Sequence, residues 1–237
     1  MNPMHTVGLA ARALKKTPCV MFHYGAVPAY LFDDFWSRAI TLYQSASEGL
    51  YFSFANEIVT ISSFLRNTLR PSLRRKTTLI YPGLEHAISR SNRAEMRRRL
   101  DLNDSPLILC VGRYSSAYKR MNRMINIYQA VKKEIPRVKL LLLGSEYDLS
   151  APPSMEGVYW LKSASFEETA NYYSACDVFA SCSAWEGFNL PLGEAQINGK
   201  PVVAYRIGAH SEVVNDSKSG FLVDSEDDFV DSLVRIL

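Results

Sequence analysis

What most narrows the folds open to this chain is a rhythm that begins at residue 106: short unbroken apolar runs alternate with stretches of helical spacing. PLILCVG (106–112), VKLLLLG (138–144), VYWL (158–161), DVFAS (177–181), PVVAY (201–205) and GFLV (220–223) are such runs. Apolar on every residue rather than every second one, they fit strands covered on both faces. Between them lie helical stripes. Met121, Met124, Ile125, Tyr128 and Val131 share one face of a first helix. Ser165 and Glu168 form an S-x-x-E capping box that opens a second, with Phe166, Ala170 and Tyr173 on one side. A third is expected from about Pro191 to Asn198, with Gly199 just past it, where a left-handed residue is common. A last helix carries Val230, Leu233, Val234 and Leu237 on one face. Strands alternating with helices at this spacing require crossover connections and a parallel sheet. The fold class expected is α/β, with a doubly wound Rossmann-like lobe over residues 83–237.

Residues 1–82 are sparser and read as a partial second lobe of the same kind. PCVMFHY (18–24), EIVTIS (57–62) and KTTLIYPG (76–83) are strand candidates, with an aromatic-rich helix (Tyr30, Phe32, Phe35, Trp36, Ile40) between the first two. The final stripe is still running at Leu237, so a lobe truncated at its last helix is expected. The composition, 47% hydrophobic and 22% charged, excludes a disordered or collagen-like chain. Cys19, Cys110, Cys176 and Cys182 stand singly without metal-ligand spacing, which favours buried reduced thiols and no metal site. No apolar stretch reaches the roughly 18 residues a spanning helix needs. MNPMHTVGLAARALKK lacks a secretory core, so a cytoplasmic location is expected.

Charge is unevenly spread. Between residues 61 and 123 there are 14 Lys and Arg against 4 Asp and Glu, although the whole chain is only +3. Such a segment could hold phosphates, anionic lipid headgroups or nucleic acid. The plainer reading is a solvated helix face, with RSNRAEMRRRL (90–100) a surface helix turning Met96 and Leu100 inward. No RNA-binding signature or interleaved aromatics accompany the charge, so a nucleic-acid module is not expected.

In an open parallel sheet, ligands bind beyond the carboxyl ends of the strands. Two loops there are chemically loaded: GRYSSAYKR after the run at 106–112 and CSAWEGFNLPLGE after the run at 177–181. Glu186 and Glu194 stand eight residues apart in the second loop and the helix after it. Pro191 suits that helix's first turn, where its missing N–H costs nothing. The helix start offers free N–H groups and partial positive charge to a phosphate. Gly187 lets backbone approach a ligand closely. Taken alone, a Glu pair at this spacing arises by chance, and Glu194 could simply complement the helix dipole. The first loop supplies Arg113, a fork for two phosphate oxygens, and Lys119, a mobile point charge. Lys119 and Arg120 as solvated helix-start residues is the alternative.

GRYSSAYKR followed by DVFASCSAWEGFNLPLGEAQINGKPVVAYRIGAHSEVV resembles the carboxyl-terminal lobe of the retaining glycosyltransferases of family 4. The likeness runs from about residue 57 to 235 and is most specific over the E-x7-E segment and the A-x-x-x-G-x-P-V-V-A after it. It implies a GT-B fold, two Rossmann-like lobes with the donor in the cleft: here a partial acceptor-side lobe (1–82) and a nucleotide-sugar-binding lobe (83–237). It also implies that Arg113 and Lys119 grip the donor diphosphate, Glu186 contacts the transferred sugar and Glu194 the ribose. Backbone amides around Phe188, Asn189 and Leu190 would hold sugar and phosphate. His23, at a strand end, either corresponds to an amino-lobe histidine facing the sugar or is a satisfied structural one. Two departures from the family pattern stand out. Asn189 occupies a position usually held by Gly, and the Arg–Lys spacing is one residue longer than expected, so Arg120 could substitute for Lys119. His5, His86 and His210 carry no argument of this kind.

The activity implied is transfer of a hexose from a nucleoside diphosphate sugar to a sugar, lipid-linked or other hydroxyl acceptor, with retention of configuration. No Asp-x-Asp motif is present, so neither metal nor cofactor is expected. Peripheral membrane contact through the amino lobe is compatible with the sequence. The rivals are a nucleotide-sugar epimerase or phosphorylase-like enzyme on the same scaffold, or an inactive truncated fragment.

Overall fold

The computed structural model of the chain describes residues 17–237 apart from 103, 115, 146 and 149. The reading of residues 1–16 as lacking a leader, and His5 with it, lies outside those residues. Two compact units make up the chain, Met1–Pro82 and Gly83–Leu237.

The first unit is a three-stranded parallel sheet, β1 (Val20–His23), β2 (Glu57–Thr60) and β3 (Thr77–Leu79), in that order. Between β1 and β2 runs α1 (Phe35–Phe54), whose first turn is capped by the Asp34 carboxylate accepting from the Ser37 N–H at 2.7 Å. That cap fixes the start of the helix at Phe35, so Tyr30 falls in a separate 3₁₀ turn (Ala29–Leu31) rather than in the aromatic helix expected from the sequence. The aromatic face is not buried: Tyr30, Phe35 and Trp36 are all exposed. After β2 come two short helices, α2 (Ser63–Thr68), capped by the Ser62 hydroxyl, and α3 (Pro71–Arg74). Met21, Phe52, Ala55, Ile58, Leu69 and Leu73 form this unit's core.

The second unit opens with α4 (Arg93–Arg99) and continues with β4 (Leu107–Val111), α5 (Met121–Glu134), β5 (Lys139–Leu143) and β6 (Val158–Leu161). It goes on through α6 (Phe166–Ala175), β7 (Val178–Ser181), α7 (Leu190–Ile197), β8 (Val202–Tyr205), α8 (His210–Val213), β9 (Gly220–Val223) and α9 (Glu226–Ile236). All six strands are parallel, in the order β6-β5-β4-β7-β8-β9. The first strand of the unit is therefore central. The chain builds outward from β4 through β5 to β6, then returns to the other flank of β4 and builds β7, β8 and β9. The boundary between β4 and β7 is the topological switch point, the place where connections diverge and leave a crevice. Both chemically loaded loops, 112–120 after β4 and 182–189 after β7, leave from the strands that flank it.

Side chains on both sheet faces are buried, as the unbroken apolar runs required. Ile108, Leu140, Val178 and Val203 pack with the α5 stripe and Phe229 of α9. Leu107, Leu109, Leu141, Phe179 and Val202 pack with Tyr173 of α6 and Leu192 of α7. Each such aliphatic side chain contributes about 1.5–3 kcal/mol. The Ser165–Glu168 capping box forms in both directions, and Gly199 takes φ +71° just beyond α7.

One expectation needs correction. The basic segment is not simply a solvated face. Arg93 donates to the carbonyl oxygens of Ser174, Ala175 and Cys176 and to the Asp177 carboxylate, and Arg97 to Ala175 O, Asp177 Oδ2 and Ser105 O. The two guanidinium groups close the carbonyl end of α6, where orphan acceptors and negative helix charge gather. The Leu107 N–H also donates to Asp177, at 2.7 Å, tying the latch to the first residue of β4. Met96 is buried as expected. Among the described residues, no helix is long and apolar enough to cross a membrane.

Candidate functional site

The two loops at the switch point are hydrogen-bonded to each other: the Ala184 N–H donates to Tyr118 O at 2.7 Å. Lys119 and Glu186 meet across this junction, Nζ to Oε1 at 2.7 Å, with side chains 18% and 8% exposed. The Ser183 hydroxyl donates to the same carboxylate oxygen at 2.6 Å. Glu186 is thus a nearly buried anion held by a cation and a hydroxyl, and Lys119 rather than Arg120 is the side chain paired with it. Arg120 adopts a left-handed conformation (φ +49°) as the residue before α5 and caps nothing with its side chain. Arg113 is exposed at the exit of β4, its Nη2 donating to the Tyr118 hydroxyl at 3.1 Å. The Tyr118 ring in turn lies 5.9 Å from the Lys119 ammonium. Two cations therefore flank one aromatic side chain on this loop. Ser116 Oγ, one of two buried side-chain polar atoms without a hydrogen-bond partner among the described residues, lies in the same loop.

Why the second loop turns as it does is local. Asn189 precedes α7 with φ +72° and ψ +72°, a left-handed conformation that Gly adopts freely and Asn tolerates. That explains how Asn can stand where the resembled family usually has Gly. Gly187 and Phe188 are buried beside it, Leu190 is exposed, and Pro191 falls in the first helical turn. The turn carrying Gly208 backs onto Glu186 so closely that a Cβ there would lie 2.2 Å from Glu186 O.

Glu194 sits in the second turn of α7 rather than the first, which weakens its reading as a dipole-complementing residue. Its carboxylate accepts from the Tyr173 hydroxyl at 2.7 Å and faces His86 Nε2 at 3.4 Å. Burial, then the neighbouring Glu194 charge, pushes the Tyr173 phenol well above its ordinary value, so it stays a donor. Beside His86 lies a cavity of about 430 Å³ lined by Glu85, Ile88, Arg90, Phe166 and Asn171, with the His86 and Phe166 rings edge to face at 5.9 Å. His86 drew no attention in the sequence because it lies more than a hundred residues from Glu194.

His23 is part of the first unit's own packing. It is buried, with Nδ1 3.3 Å from Glu48 Oε1, Nε2 3.4 Å from Thr68 Oγ1 and its ring edge to face with Phe52. Both ring nitrogens are engaged, which favours the satisfied structural histidine. Trp160 packs edge to face with Tyr114 and against the second unit's core, while Lys162 is exposed. The thiols of Cys110, Cys176 and Cys182 are buried and free, Cys19 is half-buried, and burial raises Cys110 and Cys176 to about 12.

The chain is similar to known proteins over most of its length. The chain is 28% identical over 198 residues to trehalose synthase of Pyrococcus horikoshii, covering 71% of this chain and 46% of that protein. It is 31% identical over 170 residues to D-inositol 3-phosphate glycosyltransferase of Stackebrandtia nassauensis, covering 65% of this chain and 38% of that protein. The chain therefore spans less than half the length of these relatives. Among solved structures, sucrose-phosphate synthase of Thermosynechococcus elongatus superposes with a TM-score of 0.76 at 24% identity over 98% of this chain and 61% of its own. Anabaena HepE in complex with UDP-glucose gives 0.79 at 20% identity over 100% of this chain and 66% of its own. These structures share the GT-B fold, as the sequence resemblance implied. The Glycosyl transferases group 1 family matches residues 105–237, the unit that holds both switch-point loops, and the chain belongs to that family.

Proposed function

We propose that the protein transfers a hexose from a nucleoside diphosphate sugar to a hydroxyl acceptor with retention of configuration, and that Gly83–Leu237 is its donor-binding lobe. The observation that carries the reading is the Lys119–Glu186 pair at the β4/β7 switch point, with Arg113 on the same loop and the start of α7 behind it. This is where an open parallel sheet receives a phosphorylated ligand. The donor's diphosphate lies against Arg113, Lys119 and the amide groups around Phe188, Asn189 and Leu190. Glu186 faces the sugar.

At the other end of α7, Glu194 accepts from the ribose hydroxyls, and the cavity beside His86 leaves room for the nucleoside. Tyr173 holds Glu194 in place from the core side. As the bond from the anomeric carbon to the phosphate oxygen breaks, its electron pair goes to the diphosphate, while the acceptor oxygen bonds to that carbon from the same face and its proton passes to the departing phosphate oxygen. The two cations and the helix start stabilise that charge without having to reorganise. No divalent ion is needed in this scheme. The acceptor is a sugar or a lipid-linked hydroxyl. A membrane-bound acceptor is compatible with this scheme.

The test is titration of the full chain with UDP-glucose, GDP-mannose and ADP-glucose by calorimetry, followed by transfer assays with and without a sugar acceptor. Glu186→Ala and Arg113→Ala should each remove most transfer, and Glu194→Ala should weaken binding of the nucleotide more than of the sugar phosphate alone. Unchanged rates in both of the first two variants would move the chemistry elsewhere. Turnover of the donor without any acceptor would favour an epimerase.

A further inference from the structure

Asn189 and His210 carry an arrangement that the reaction just described does not use. Asn189 is the residue before α7, yet its side chain makes no cap bond to that helix. Its amide points inward instead, Nδ2 lying 3.1 Å from Ser181 Oγ and 2.9 Å from His210 Nε2. His210 is wholly buried, and its Nδ1 lies 2.7 Å from the carbonyl oxygen of Tyr205. A carbonyl can only accept, so Nδ1 carries the hydrogen and Nε2 is the acceptor that the Asn189 amide requires. The neutral ring in this one tautomer satisfies both neighbours.

From Asn189 the bonds continue in one direction. The Ser181 hydroxyl donates to Ser183 Oγ at 3.3 Å, and the Ser183 hydroxyl donates to Glu186 Oε1 at 2.6 Å. Every hydroxyl hydrogen along the path is spoken for, and all five side chains are buried. A second connection runs through the backbone, since the turn from Tyr205 to His210 also packs beneath Glu186 and the Ala209 N–H donates to Glu186 O at 3.3 Å.

We propose that Asn189 and His210 are positioning residues for Glu186: a neutral His210 fixes the Asn189 amide, and Asn189 fixes the orientation of the hydroxyls that hold the carboxylate. The proposal rests on Glu186 facing the donor sugar. A second proton on His210 would turn Nε2 into a donor and force the Asn189 amide to present its oxygen. Ser181 would then donate to that oxygen and lose its bond to Ser183. Burial already disfavours the charged ring. The ionisable groups facing it are Glu186, which attracts a charge on the ring, and Lys119, which repels one.

The decisive comparison is His210→Gln against His210→Phe, with Asn189→Gly as the third variant. Gln can donate to Tyr205 O and accept from Asn189 without titrating, whereas Phe does neither. Asn189→Gly keeps the left-handed backbone and deletes the amide. With UDP-glucose, GDP-mannose and ADP-glucose as probes, the tightest binder should bind His210→Phe and Asn189→Gly about tenfold more weakly at pH 7.5. His210→Gln should match the parent there. Between pH 7.5 and 5.5 the parent should lose affinity while His210→Gln holds it. Ring ¹⁵N spectra of the parent should show the Nδ1–H tautomer at pH 7.5. Equal affinity in all four proteins across that range, or an Nε2–H tautomer, would overturn the proposal. If no probe binds the parent, the donor reading fails, and the ring spectrum together with the acid stability of His210→Gln still decides the network.

Discussion

Lys119→Met is the perturbation whose consequence the structure fixes most tightly. The methionine keeps most of the lysine stem and removes the ammonium. Glu186, 8% exposed in its side chain, would keep its carboxylate and lose its ionic partner, leaving the Ser183 hydroxyl as its donor. Breaking a buried pair from one side typically costs about 3–5 kcal/mol because a charge is stranded. Here Lys119 is 18% exposed and Ser183 remains, so the loss should sit at or below the low end, about 2–3 kcal/mol. Glu186→Gln strands no anion, and its amide oxygen still accepts from Lys119 and Ser183, so about 1–2 kcal/mol is expected. The double variant removes both charges together. It should be more stable than the sum of the single losses predicts, by about 1 kcal/mol or more. Urea unfolding followed by tryptophan fluorescence in a Trp36→Phe background reads the second unit, which contains Trp160 and Trp185. Additivity within about 0.5 kcal/mol would mean that the two side chains are not coupled, and the clamp at the switch point would lose its physical basis.

Gly208→Ala places a Cβ 2.2 Å from Glu186 O at a positive φ, so it should cost about 1–3 kcal/mol in the same unfolding assay and reduce donor binding as well. Asp177→Ala unpairs Arg93 and Arg97 and the Leu107 N–H, and because the aspartate is 31% exposed the expected loss is about 1–3 kcal/mol, with donor affinity unchanged if the latch is purely structural. With burial raising Cys110 and Cys176 to about 12, a thiol reagent at pH 8 should label Cys19 first and the other three only on unfolding. Burial holds His210 below the ordinary imidazole value, so near pH 6 the unfolded chain binds a proton that the folded chain refuses. Stability should therefore fall as pH drops below about 6.5 and fall less in His210→Gln, measurable as the difference in urea midpoints at pH 7.5 and 5.5.

The sheet was legible in the sequence because its cause is local. Each of the six apolar runs from PLILCVG to GFLV needs cover on both faces wherever it sits, and a parallel sheet between helices is the arrangement that supplies it. The Ser165–Glu168 box and Gly199 were legible for the same reason: cap and partner lie within three residues, and a left-handed residue after a helix is a single-residue property. Lys119 and Glu186 could be suspected because each lies in a loop that leaves the carboxyl end of a strand. Arg93 and Arg97 could not be placed: their partners are the carbonyl end of α6 and Asp177, about eighty residues on, and nothing in RSNRAEMRRRL marks those arginines as spoken for. His210 and His86 were missed likewise, since each acquires its meaning from a partner brought close only by the sheet order. The exposure of Trp36 and Phe35 ran against their composition, because a stripe of aromatics states a wish for cover without saying what provides it.

The Lys119–Glu186 pair also bears on how a donor would enter. A site that waits with an unpaired ammonium invites water and any passing anion, and it must desolvate the cation when the ligand arrives. Here the Lys119 side chain is only 18% exposed and its ammonium is already paired at 2.7 Å. A diphosphate binding beside it exchanges one anionic partner for another, or shares the ammonium's remaining hydrogens, so little new desolvation falls on Lys119. In the proposed reaction Glu186, released or loosened by that exchange, would keep the Ser183 hydroxyl and turn its second oxygen to the sugar. The chain of buried bonds behind Ser183 then decides whether the freed carboxylate stays in place or drifts. On this reading one carboxylate serves both the Lys119 ammonium and the sugar, which is why its support should matter more for donor binding than for the fold.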